Sequence, residues 1–359
     1  MPNPVKADEG NTASTKSKYG LSAVSQAKKN PTHLMTPLDL PDIKEFSDKI
    51  EMLNQTITKY LESNKGQPVI LYEAAHHLIL QDGKRLRSLL TLLACEAVNG
   101  DVTRALKMAL AAELVQTASL INDDMIDDDT YRRGVETVHR RYGSDIALLA
   151  SNLLIAQAVR LTAEIGFPEL LIQMAIGGVR MCEGETQDIL MNMENQITFN
   201  EDAYFQMITN KTVAFMRQAA LIGGIVGNAS KSQIKALTSY GEALGYTFQL
   251  RDDMLDVDAS PQQVKKTTHS DLRMKRGNLT VIHALKVSQE NERSRCLTAL
   301  EDGDFTPILG LIRSTNALDY TFNIAESFNK KAKRALQGQG FINKKLLEQL
   351  ADYVLLRSF

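Results

Sequence analysis

The sequence predicts an all-α fold, a large single-domain bundle of about ten or more helices around a central apolar cavity. Three observations lead there. Apolar residues recur at three- and four-residue spacing, as in Ile43, Phe46, Ile50, Leu53, Ile57 and Leu61, which is the rhythm of an amphipathic helix. Alternating strand-like runs are nearly absent, and the breakers between helical segments are brief: NKGQP at 64–68, NGD at 99–101, GFP at 166–168. The segments 103–127, 145–164, 169–193 and 233–258 are long and apolar round most of their circumference, as befits helices inside a bundle.

Taken in order, residues 1–36 are polar, rich in Lys, Ser, Thr and Asn, and lack the apolar block of a signal peptide, which predicts a disordered tail. Asp8 and Glu9 argue against an organelle transit peptide. Residues 37–359 form the helical domain; the chain is 359 residues long and 43% hydrophobic, enough for a sizeable core. The formal charge of -2 gives no global field for nucleic acid, so cationic chemistry must be local. Cys95, Cys182 and Cys296 are far apart and lack metal-type spacing; they read as buried thiols in a reducing, cytoplasmic setting. The apolar run DIALLASNLLIAQAV at 145–159 is broken by Asp, Ser, Asn and Gln and falls short of the roughly 20 residues of a membrane span. No transmembrane segment is expected.

An aspartate motif occurs twice, at 123–127 and again at 252–256, each time closing a long apolar helical run. With 3.6 residues per turn, Asp123 and Asp127 lie about 40° apart on one face and about 6 Å apart along the axis. Asp252 and Asp256 repeat the spacing. If the two helices face each other, their acids converge; convergent carboxylates repel unless a cation neutralises them. Hard oxygen ligands with incomplete coordination suit Mg²⁺, which completes its shell with water and substrate phosphate. The implied ligand is a diphosphate. A single such motif reads equally well as a solvated helix end, but two copies with basic companions do not. Those companions are GKRLR at 83–87, Arg132-Arg133-Gly134, Lys211-Thr212 and Lys266.

These residues resemble the trans-polyprenyl diphosphate synthases, most closely the long-chain members, from about residue 70 to the end of the chain. GKRLR is similar to the family's GKxxR segment, DDMIDDDTYRRG at 123–134 to its first aspartate-rich motif, and FQLRDDMLD at 248–256 to the second. CEGETQ at 182–187, NKT at 210–212 and YVLLR at 353–357 look like further landmarks in the expected order. The resemblance implies an isoprenoid-synthase-type bundle that condenses an allylic prenyl diphosphate with isopentenyl diphosphate, head to tail and with Mg²⁺. By that resemblance Asp123, Asp127 and Asp252, with Asp256, hold Mg²⁺ against the allylic diphosphate, which Arg132, Lys211 and Lys266 also grip. Lys84, Arg87, Gln116 and Arg133 hold isopentenyl diphosphate, while Thr212 and Gln249 steady the allylic cation. A homodimer built on helices around 103–164 is implied, with a hetero-oligomer as the alternative.

The departures are local. Ser88 stands where the family has Pro, Asn122 where it has His, Ser151-Asn152 where it has Gly-Asp, and Lys265 where a Gly precedes the Lys. Asn278 replaces a second Lys, leaving Lys275 as a substitute to be weighed against Lys266.

Ala118 and Ser119 lie about one turn before Asp123, with Val115 a further turn down, and in this reading they line the tunnel that receives the growing chain. Bulky aromatics stop the chain early in the family; small residues here imply a product longer than fifteen carbons. Close helix packing is the structural alternative for both. Three other functions are weighed: a geranylgeranyl diphosphate synthase with a twenty-carbon product, a subunit needing a second protein, and a class I terpene cyclase. The cyclase is disfavoured by the second DDxxD.

Overall fold

The structure, a computed structural model, describes residues 43–193, 200–258, 270–274 and 277–358. The tail expected over 1–36 and the two lysines Lys266 and Lys275 fall outside those residues.

The chain opens with α1 (Lys44–Ser63), α2 (Val69–His77), α3 (Leu86–Ala97) and α4 (Val102–Ile126). A two-residue hairpin, β1 (Tyr131–Arg132) with β2 (Val135–Glu136), separates α4 from α5 (Val138–Tyr142), α6 (Ser144–Glu164) and α7 (Pro168–Met193). Then come α8 (Glu201–Ile208), a π-helical turn (Thr209–Val213), α9 (Ala214–Val226) and α10 (Lys231–Asp258). The remainder is α11 (Ser270–Arg273), α12 (Leu279–Val287), α13 (Glu290–Glu301), α14 (Thr306–Ser314), α15 (Ala317–Ala335) and α16 (Lys344–Leu356). The all-α expectation holds, and the four long segments emerge as α4, α6, α7 and α10 within a residue or two of their predicted ends.

Two apolar clusters share the interior. One gathers α1, α2, α4 and α6 around Leu53, Leu114, Ala118 and Leu154; the other gathers α3, α9, α10, α15 and α16 around Leu89, Met216, Leu244 and Leu350. Helices α3 and α9 serve both, with Leu92 and Ile222 in the first cluster and Leu93 and Ala219 in the second. Close approach there depends on glycine: a Cβ on Gly223 would stand 2.3 Å from the Thr91 carbonyl oxygen.

Two sequence expectations need correcting. Cys182 is exposed on the outer side of α7, whereas Cys95 and Cys296 are buried as expected. Helix α6, at 21 residues, is long and apolar enough to cross a membrane. The sequence reading counted it short because it stopped at residue 159. In the fold Ala147, Ala150, Leu154, Ala158 and Leu161 of α6 are buried in the first cluster, so that face is occupied by protein.

Candidate active site

The five aspartates that end α4 do different work. The helix stops in a Schellman arrangement: Asp128 takes a left-handed φ of 52°, and the Asp129 N–H donates to the Asp124 carbonyl at 3.0 Å. Asp128 meets Arg140 at 2.8 Å, and Asp129 meets Arg132 at 2.9 Å. Asp124, fully buried, accepts from Arg132 Nε at 2.6 Å. Asp123 and Asp127 are the pair that one turn of helix places on a common face.

Asp123 is short of positive charge. Its carboxyl is pushed up to about 7, first by burial and then by Glu185, against the opposing pull of Lys211 and Arg132, with Asp127 raising it further. Such a carboxylate is stabilised by a cation placed beside it. Among the described residues, however, no three His, Cys, Asp or Glu side chains form a ready-made metal cluster.

The second motif is built the same way. Asp252 receives the Arg357 guanidinium at 2.7 Å. Its neighbour Asp253 is buried and accepts from Gln249 Nε2 at 3.0 Å, from the Leu279 N–H at 3.0 Å, and from the Tyr204 hydroxyl. In both motifs the second aspartate turns inward as a structural anchor. The first is left for the cleft.

Arg87, in the first turn of α3, connects the two. Its guanidinium lies over the rings of Phe215 and Phe248, at 5.0 and 5.5 Å from their centres, and feels both Asp252 and Asp123. Burial is the leading cause of its depression to about 10, with Glu113 and Asp252 pulling the other way. The C-terminal ends of α4 and α10 and the N-terminal ends of α3 and α9 therefore share one end of the bundle. Arg87 Nε and Gln116 Oε1 are buried there with no hydrogen-bond partner among the described residues. A buried guanidinium N–H without an acceptor is a site for an anion.

The loop before α3 brings in the remaining cations. Arg85, with a left-handed φ of 48°, is buried against Glu113 at 2.8 Å and donates to the carbonyls of Ile79 and Gln81. Ser88 donates to the same Glu113 at 2.7 Å, so the residue that replaces the family's Pro helps to hold this loop. Lys84 is exposed on the loop. Arg133 and Gly134 occupy the corner of the hairpin with φ of 52° and 80°, both in the left-handed region a type I′ turn requires. That turn lays Arg133 against Gly83: a Cβ on Gly83 would stand 3.0 Å from the guanidinium carbon. The structure thus gathers Lys84, Arg87, Gln116 and Arg133 at one end of the bundle.

Lys211 sits on the π-helical turn, facing α7, where it pairs with Glu185 at 2.8 Å and Asp188 at 2.5 Å. Gly184 permits this contact, since a Cβ there would stand 2.1 Å from the Lys211 backbone nitrogen. Thr212, next along, donates to Gln249 Oε1 at 2.7 Å, so the predicted pair meets. Because Gln249 Nε2 is tied to Asp253, its oxygen is held toward Thr212, and the orientation of the amide is fixed.

Beneath Phe215 a small apolar cavity lies between α3, α4, α7 and α9. Val115 lines it, with Ala112 and Met108 further along α4. Ala118 and Ser119 do not. Ala118 is buried in the first core cluster, and Ser119 turns its hydroxyl back to the Gln116 carbonyl at 2.9 Å. At residue 118 helix α4 is packed in the cluster it shares with α6.

The sequence reading gave no role to Arg357, Glu185, Asp188, Asp124 or Asp253. Arg357 and Glu185 lie within the landmarks YVLLR and CEGETQ, and Asp188 directly follows the latter; the landmarks mark positions but not partners.

A helical bundle with two aspartate motifs and several arginines and lysines at the mouth of an apolar cavity defines a protein that handles a diphosphate attached to a hydrocarbon. The polyprenyl synthetase family model matches residues 68–307, and the chain belongs to that family. It is a transferase. A short chain isoprenyl diphosphate synthase of Methanothermobacter thermautotrophicus is 34% identical over 298 residues, covering 81% of this chain and 91% of the relative. The crystal structure of a geranylgeranyl pyrophosphate synthetase from Pyrococcus horikoshii superposes with a TM-score of 0.79 at 33% identity, covering 86% of this chain and 96% of the other. A polyprenyl synthase from Caulobacter crescentus, solved with calcium and isoprenyl diphosphate, gives 0.80 at 28% identity, covering 88% and 97%.

Proposed function

We propose that this chain condenses an allylic prenyl diphosphate with isopentenyl diphosphate and releases a trans-polyprenyl diphosphate longer than fifteen carbons. The observation that carries the reading is Arg87, whose buried, unpartnered Nε lies within electrostatic reach of Asp123 and of Asp252, so that anion and cation sites adjoin at one cleft.

Asp123, Asp127, Asp252 and Asp256 hold Mg²⁺ in this reading. When bound, it neutralises charge that develops on the departing diphosphate. The chain's own residues do the rest. Arg132 and Lys211, with Lys266, orient the allylic diphosphate. Lys84, Arg87, Gln116 and Arg133 fix isopentenyl diphosphate so that its alkene meets the allylic carbon. Thr212 and Gln249 present oxygen dipoles to the cation formed when the C–O bond breaks. The proton lost after attack passes to the released diphosphate, so no protein nucleophile is required.

A twenty-carbon product is the second reading, favoured by the likeness to a geranylgeranyl pyrophosphate synthetase. Labelled isopentenyl diphosphate, Mg²⁺ and primers of ten, fifteen and twenty carbons, followed by product sizing, decide whether elongation stops at twenty carbons or runs on to twenty-five to fifty. No incorporation without a second protein would refute a self-sufficient enzyme.

A further inference from the structure

The apolar cavity contains one anomaly. Gln218 of α9 lines it with only 2% of the residue exposed, and its Oε1 is buried with no hydrogen-bond partner among the described residues. The other polar lining residue, Thr91, has its hydroxyl directed to backbone, at 3.1 Å from the Arg87 carbonyl and 3.2 Å from that of Ala219. Gln218 packs against α7 at Gly177, where an added Cβ would stand 3.2 Å from its Cγ. It stands one turn of α9 below Phe215, whose ring carries Arg87 at the cavity mouth.

We propose that Gln218 is a specificity-determining residue that limits how far the prenyl tail descends, an inference that rests on the elongation reading above. The reasoning is one of hydrogen-bond satisfaction. A buried amide oxygen needs a donor, and a water molecule in the cavity can supply one. A hydrocarbon tail carries no donor. A tail that passes Gln218 sets hydrocarbon against the amide oxygen and displaces any water there, so the enzyme releases product before the next unit is added. The limit is polar and local, and it acts in the cavity that Val115 also lines.

The test is product sizing by Gln218→Met and Gln218→Glu with wild type alongside. Met is unbranched and of similar size, so the first variant removes the polarity while opening no new space. The ratio of the next longer product to the wild-type main product should rise roughly tenfold in Gln218→Met. It should not rise in Gln218→Glu, which keeps a polar oxygen at the site. Because the readout is a ratio among products of the folded enzyme, poor folding of a variant does not imitate it. An unchanged ratio in Gln218→Met, or an equal rise in both variants, overturns the assignment while leaving elongation intact. A wild-type enzyme that incorporates no isopentenyl diphosphate overturns the elongation reading and this inference with it.

Discussion

Asp123 and Asp124 are adjacent in sequence and opposite in role. Asp124 is fully buried and paired with Arg132; Asp123 is held near neutral pH by burial and by Glu185. Asp123→Asn should lower kcat by at least about 10²-fold with little change in thermal unfolding, because charge at the leaving group is affected and packing is not. Asp124→Asn should act on stability, costing about 1–3 kcal/mol in denaturant unfolding as the buried Arg132 loses its anion. Equal effects of the two substitutions on unfolding would contradict the division. The Arg85–Glu113 pair extends the point. Both side chains are nearly inaccessible, so Glu113→Gln leaves a buried guanidinium uncompensated, and a loss of about 3–5 kcal/mol is expected by chemical denaturation. None of this was legible in the sequence. A DDxxD run shows which carboxylates share a helix face but not which face turns to the core, and the partner that decides it for Asp253 includes a backbone N–H 26 residues away.

At the scale of the element, periodicity is a strong signal and placed the long helices well, because burial of one stripe is a property of the helix itself. The π-helical turn at Thr209–Val213 carries no such signal. Its extra residue shifts the register of α8 against α9, leaving Lys211 on α7 and Thr212 on α10. Gly184 is the counterpart that makes room. In Gly184→Ala the added carbon meets backbone atoms of Asn210 and Lys211 at 2.7 Å or less, and neither can rotate away. This substitution should displace Lys211 and raise KM for the allylic substrate, with a stability cost of about 1–3 kcal/mol. Wild-type kinetics in that variant would show that the turn does not position Lys211. The last turn of α16 is a second such element. Truncation after Leu356 removes both the partner of Asp252 and the carbonyl that accepts from Arg251, so kcat should fall together with melting temperature.

At the scale of the molecule, helices α6 and α7 are apolar on two sides, and only one side is explained by the core. Along α6 the exposed positions Leu148, Asn152, Ile155 and Val159 follow one another by three and four residues, and along α7 Ile172, Ile176 and Val179 do the same. The two helices are neighbours in the fold. We propose these stripes as the interface of the homodimer expected from the sequence; much of α4, which the expectation also included, is buried in the core. A closed pair with two-fold symmetry covers such a patch because each copy presents the same stripe to the other. Sedimentation should therefore give about twice the 39.8 kDa of one chain. Leu148→Glu combined with Val159→Glu places charge on the stripe without entering the core, and should yield a monomer of unchanged helical content by circular dichroism. A wild-type monomer, or a double variant that still sediments as a pair, would move the interface elsewhere. The site itself is assembled from α3, α4, α7, α9, α10 and α16 of one chain, so a monomeric variant that retains its fold separates two effects of pairing: loss of activity would mean that the partner stiffens α4 and α7 around Asp123 and Lys211, whereas full activity would confine pairing to covering the stripe.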